Sequence, residues 1–123
     1  MSAGSSSHRL GPVRHLRETE ARLLRALLVK SGDVDDLQNR LARLRVRDMS
    51  DGGMGSLYID SEANRPEERR FGRRVAELQF EDADGVAIIA SLNIDRDGGL
   101  YELDLWKTDY SSVIQPNFNL PTA

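Results

Sequence analysis

The chain predicts an α+β domain: an N-terminal helix plus a short second helix packed on one face of a roughly five-stranded antiparallel meander sheet. Three observations predict it. Leucines recur at helical spacing over residues 16–28. From residue 43 onward, apolar and polar residues alternate with a period of two. Asp-Gly pairs at 84–85 and 97–98 then punctuate three strand-like runs. A chain of 123 residues holds one such domain.

The first helix lies in "ETEARLLRALLVKSGD", where Leu16, Leu23, Leu24, Leu27 and Leu28 form one apolar stripe. Glu18 and Glu20 suit its positive N-terminal end, Lys30 its C-terminal end, and Gly32 its stop. The second helix is expected in "DVDDLQNRLARL", capped by Asp33, with Val34, Leu37 and Leu41 on one face. The period then changes. In "ARLRVRDM", Leu44 and Val46 alternate with Arg43, Arg45 and Arg47, a strand with an arginine comb on its outer side. "SLYID" is a second strand, and "SEANRPEERRFG" a polar, mobile connection.

Three strands, "RRVAELQFED", "VAIIASLNID" and "LYELDLWK", form the C-terminal meander. A three-residue first turn, with Gly85 in the left-handed conformation, sets Phe80 opposite Ile88, Leu78 opposite Ala90 and Ala76 opposite Leu92. A two-residue turn at Asp97-Gly98 sets Ile94 opposite Tyr101, Leu92 opposite Leu103 and Ala90 opposite Leu105. Both registers feed one apolar face, which the first helix covers. The domain is expected to span residues 16–112, after a disordered segment 1–15 and before an irregular tail 113–123 with two prolines.

The same registers dictate the other face. Glu77, Ser91 and Asp104 fall in one row. Val75, Asn93 and Glu102 fall in the next, and Gln79, Ile89 and Trp106 in a third. Three carboxylates, two amides, a hydroxyl and the sole tryptophan thus gather on one side. Such a face is either simply solvated or a docking surface, in which Trp106 anchors and the acids select a basic partner. The candidate binding residues are Glu77, Ser91, Asn93, Glu102, Asp104, Trp106 and Met54. Two other readings use the same face: a homodimer, and an enzyme holding a divalent metal at Glu77, Glu102 and Asp104.

Composition excludes some classes. The chain has no cysteine, so thiolate chemistry and disulfides are ruled out. Residues 1–47 carry ten basic and five acidic side chains, and residues 73–123 carry four and nine. With no dominant basic patch, nucleic acid is not an expected partner. No apolar run reaches the length of a membrane span and the N-terminus has no signal-type core, so a cytoplasmic protein without a membrane partner is expected.

The most unusual stretch is "DGGMGSL" at residues 51–57. It lacks the Lys-Ser/Thr of a P-loop and the Gly spacing of a dinucleotide fold, and a strand rather than a helix follows it. It therefore reads as a bulged or wide hairpin connection. "DRDGGLYELD" fails as a calcium loop, because Gly99 and Leu100 occupy its fifth and sixth positions. His8, His15 and Ser56 have no partner that would make a nucleophile–base pair. No catalytic residue and no cofactor are expected.

Together, "VRDMSDGGMGSL" and "LNIDRDGGLYELDLWKTDYS" resemble a family of small, mostly bacterial domains of unknown function. The family's pattern is Asp-Met-x-Asp-Gly-Gly-Met-Gly-Ser-Leu followed by Glu-Leu-Asp-apolar-Trp-Lys-x-Asp. Asp48, Met49, Asp51 to Leu57, Glu102, Asp104, Trp106, Lys107 and Asp109 match it. The resemblance implies a shared fold over roughly residues 16–112, importance for the Trp-bearing strand, and a likeness to immunity proteins of bacterial toxin systems. It implies no activity.

Overall fold

The computed structural model describes residues 9–114. Its elements are β1 (Arg14–His15), α1 (Glu18–Ser31), α2 (Leu37–Arg43), β2 (Arg45–Asp48), β3 (Leu57–Ile59), β4 (Phe71–Glu81), β5 (Ala87–Asp95) and β6 (Leu100–Lys107). The strands form one antiparallel sheet in the order β1-β2-β3-β6-β5-β4. The class is α+β, with six strands where the sequence reading expected about five. The additional strand comes from the segment expected to be loose. Residues 9–15 run beside β2, and Gly11 N–H donates to the Asp48 carbonyl at 2.8 Å. Residues 1–8 and 115–123 lie outside the described residues.

α1 forms where its leucine period places it. Leu23, Leu24, Leu27 and Leu28 are buried against the sheet. Glu20 reaches back to the Arg17 N–H at 2.8 Å, and Gly32 ends the helix in the left-handed conformation. α2 begins later than expected. Its N-cap is Asp36, while Val34 is exposed and Asp33 pairs instead with Arg40 at 2.8 Å. Arg43 consequently closes α2, and only Arg45 and Arg47 remain on β2.

The meander shows how two local departures cancel. The β4–β5 turn is the expected three-residue loop: Asp82 N–H donates to the Val86 carbonyl, and Gly85 is left-handed. The β5–β6 turn is also a three-residue loop, Arg96 to Gly98, closed by Asp95 N–H to the Gly99 carbonyl. Ile94 therefore faces Leu100 rather than Tyr101. A bulge at Tyr101 then takes up the offset, so Asn93 faces Glu102, Leu92 faces Leu103 and Ala90 faces Leu105 as expected. A second bulge in β4 puts Arg74, not Val75, opposite Asn93.

The connection between β3 and β4 is built rather than loose. Ser61 Oγ accepts the N–H groups of Ala63 and Asn64, and a 3₁₀ turn at Pro66–Glu68 follows. It delivers Arg69 into the sheet end, where its side chain is 1% exposed. The guanidinium donates to Asp95 at 2.9 Å, to the Tyr58 hydroxyl at 3.0 Å, to the Ile59 carbonyl at 2.6 Å and to the Leu100 carbonyl. It also lies over the rings of Tyr58 and Tyr101.

Candidate functional site

The polar sheet face assembles as its register dictates. Glu77 pairs with Ser91 and Ser91 with Asp104, while Asn93 pairs with Glu102 and Ile89 with Trp106. Six of the seven expected residues therefore share one face, since Glu77, Ser91, Asn93, Glu102, Asp104 and Trp106 all project from it. Ser91 and Asn93 sit on β5, between β4 and β6, and are buried, whereas Asp104 and Trp106 are exposed. The Trp106 side of the face also holds a residue that the strand period could not reveal. Tyr110 lies in the turn after β6, left-handed at φ 67°, with its N–H on the Lys107 carbonyl at 2.8 Å. Its ring stands 5.7 Å from that of Trp106 at 55°. Trp106 is 38% exposed and Tyr110 75%.

The acids on this face do not assemble into a metal site. Among the described residues no three His, Asp or Glu side chains come together as ligands. Glu77 pairs with Arg74 at 2.9 Å, and Asp104 accepts from the Ser56 hydroxyl at 3.4 Å. The arginine comb is used elsewhere. Arg47 pairs with Asp60 at 3.2 Å, and Arg45 donates to the Arg43 carbonyl at 2.8 Å.

The seventh expected residue, Met54, has an internal role. Its sulfur accepts the Lys107 N–H at 3.3 Å. The whole glycine loop is organised around such contacts. Gly52, Gly53 and Gly55 all have positive φ, a conformation that glycine adopts without strain. The resulting cradle does hold an anion, and the anion is the chain's own: the Asp51 carboxylate accepts the N–H of Met54 at 3.1 Å and of Ser56 at 3.0 Å. Ser56 is buried and its hydroxyl accepts the Leu105 N–H at 2.9 Å, tying the loop into β6. Ser112 and Val113 close the far side on the carbonyls of Gly52 and Gly53.

A buried ionic cluster fastens the same corner. The Lys107 ammonium is fully buried and donates to Asp82 at 2.9 Å, to Asp84 at 2.7 Å and to the Ser112 carbonyl at 3.3 Å. Asp82 also accepts the Ile114 N–H at 2.7 Å. Burial works against the ammonium, but its hydrogen bonds to Asp84 and Asp82 outweigh this and hold Lys107 above its ordinary pKa. The Asp84 carboxyl is held below its ordinary value by its hydrogen bond with Lys107. Where β2 runs into the glycine loop, hydrogen bonding to Arg14 likewise lowers Asp48.

The two segments that carry the family resemblance thus meet where the glycine loop is tied to β6 through Ser56 and Met54. A family model for a domain of unknown function, DUF6984, matches residues 13–117. The chain belongs to this family. No curated protein and no solved structure matches the chain. In this DUF6984 domain, Asp51, Met54, Ser56 and Lys107 are tied into the corner of the fold, whereas Asp48, Asp104, Trp106 and Asp109 are motif side chains that stand exposed. No helix among the described residues is long and apolar enough to cross a membrane.

Proposed function

We propose that this DUF6984 domain is a non-enzymatic protein-binding module whose docking surface is the sheet face carrying Trp106. The observation that carries the reading is the Trp106–Tyr110 pair. Two large aromatic rings lie against each other in solvent, on a face whose other members are mainly polar. A fold gains little from leaving an indole 38% exposed, whereas an interface gains an anchor of high contact area. Glu77, Glu102 and Asp104 around it favour a basic partner through charge complementarity. Ser91 and Asn93 form the polar middle of the face. An immunity-type inhibitor of a basic toxin fits this chemistry. The enzyme reading has no support of this kind, because the carboxylates do not converge on a metal-sized site.

The test is capture of partners from the native host by the wild-type domain, compared with Trp106→Ala and Asp104→Arg. Both variants keep the fold, since both side chains are exposed. A basic protein held by the wild type and lost from both variants supports the reading. Equal retention by all three contradicts it.

A further inference from the structure

A groove of about 390 Å³ runs between α1 and α2, on the flank of α1 turned away from its leucine face. Leu16, Ala21, Leu41 and Ala42 supply an apolar floor, and Arg22 and Arg25 form one wall. The arginines of the described residues divide into those paired with a carboxylate and those that are not, and Arg22 and Arg25, like Arg45 and Arg96, are in the second group. Arg14, Arg17, Arg40 and Arg47 each pair with a carboxylate. Arg22 and Arg25 are exposed and have no ion pair among the described residues, although Glu18 stands on the same wall.

We propose that this groove docks an acidic amphipathic helix of a partner protein. Charge selects the acid: Arg22 and Arg25 are three residues apart, one helical turn, so they match carboxylates spaced one turn apart on an incoming helix. The floor selects the apolar stripe, since it takes branched aliphatic side chains and offers no buried charge. The walls select helix over strand. Of the lining residues only His15 belongs to a strand and α1 and α2 present side chains along the rest, so a helix, which satisfies its own backbone, fits better than an extended segment. The groove belongs to the helical layer and Trp106 to the opposite face of the sheet, so the two surfaces act independently.

The probe is a fluorescein-labelled peptide of about 14 residues with leucines at i, i+3, i+4 and i+7 and glutamates on the other face. Its controls are the same peptide with lysine for glutamate, and a scrambled sequence of the same composition. Fluorescence anisotropy on the full chain is expected to show saturable binding of the glutamate helix. The combined Arg22→Glu and Arg25→Glu variant is expected to weaken binding at least about tenfold, with Arg22→Gln and Arg25→Gln intermediate. Arg96→Glu, which changes the charge at the β5–β6 turn, and Trp106→Ala are expected to leave affinity unchanged. Absence of saturable binding up to about 1 mM overturns the proposal. So does equal binding of either control peptide, or unchanged affinity in the charge-reversed variant. Sedimentation showing self-association that the same variant abolishes assigns the groove to a second copy of the chain, and also overturns it.

Discussion

Arg69 Nε donates to Asp95 Oδ2 at 2.9 Å, and the two side chains are 1% and 5% exposed. This pair joins the β3–β4 connection to the β5–β6 turn. Asp95 also accepts the N–H groups of Asp97 and Gly99 at 2.9 Å each, so one carboxylate organises the turn and receives the plug. Arg69→Ala strands a buried carboxylate and removes partners from the Tyr58 hydroxyl and two backbone carbonyls. The expected loss is about 3–5 kcal/mol, read from urea unfolding. A loss below about 1 kcal/mol shows that the connection is not held by this residue.

The glycine loop makes a prediction about position rather than composition. A Cβ at Gly53 meets Ser112 Oγ at 2.7 Å, and φ there is +86°. A Cβ at Gly85 meets nothing within 4 Å, at φ +80°. Both Gly→Ala changes incur the left-handed backbone penalty of about 1–2 kcal/mol. Gly53→Ala is expected to cost more, because it also displaces the 111–113 segment. Equal unfolding midpoints for the two variants contradict this packing.

Ser56→Ala tests how the loop is tied to β6. It leaves the buried Leu105 N–H without its acceptor at 2.9 Å. An unsatisfied buried donor costs about 1–3 kcal/mol. Hydrogen exchange at Leu105 is expected to accelerate more than at Leu92, whose strand pairing is untouched. Uniform acceleration contradicts a local role.

Acid sensitivity follows from the lowered carboxyls. Asp48, held down by Arg14, and Asp84, held down by Lys107, keep their charge to lower pH in the fold than in the unfolded chain. Their contribution is therefore complete above about pH 5 and is lost as pH falls through the folded values, below about pH 4. Lys107 has the opposite sign. It is raised in the fold, so its contribution is complete below about pH 10 and is lost on further alkalinisation. Thermal unfolding is expected to show a level Tm between these limits, with a shallower acid limb in Asp84→Asn. An acid limb identical to wild type removes Asp84 from the explanation.

Much of this fold is legible from period and punctuation. The leucines of α1 and the alternation around Leu78, Ala90 and Leu103 locate both layers, and the Asp84-Gly85 turn carries the right register. Long-range polar chemistry is not legible in the same way. Arg69 reads as one charge among several in a polar run, because nothing local announces that Asp95, 26 residues later, will bury it. Lys107 reads as a strand-end cation, and only the return of the chain through Ser112 encloses it. β1 is two residues long, too short for any period to register. For the candidate site, the Trp106 row follows from register alone, whereas Tyr110 reaches it by a turn that alternation cannot describe.

The docking surface is tested most directly at Trp106 itself, the only tryptophan in the chain. With 5-fluorotryptophan incorporated, position 106 gives a single ¹⁹F resonance. Titration with the captured basic partner is expected to move that resonance and to remove its solvent-induced shift between H₂O and D₂O, as the indole leaves water. Saturation of the complex with the resonance unmoved and still solvent-sensitive contradicts a docking role for this face.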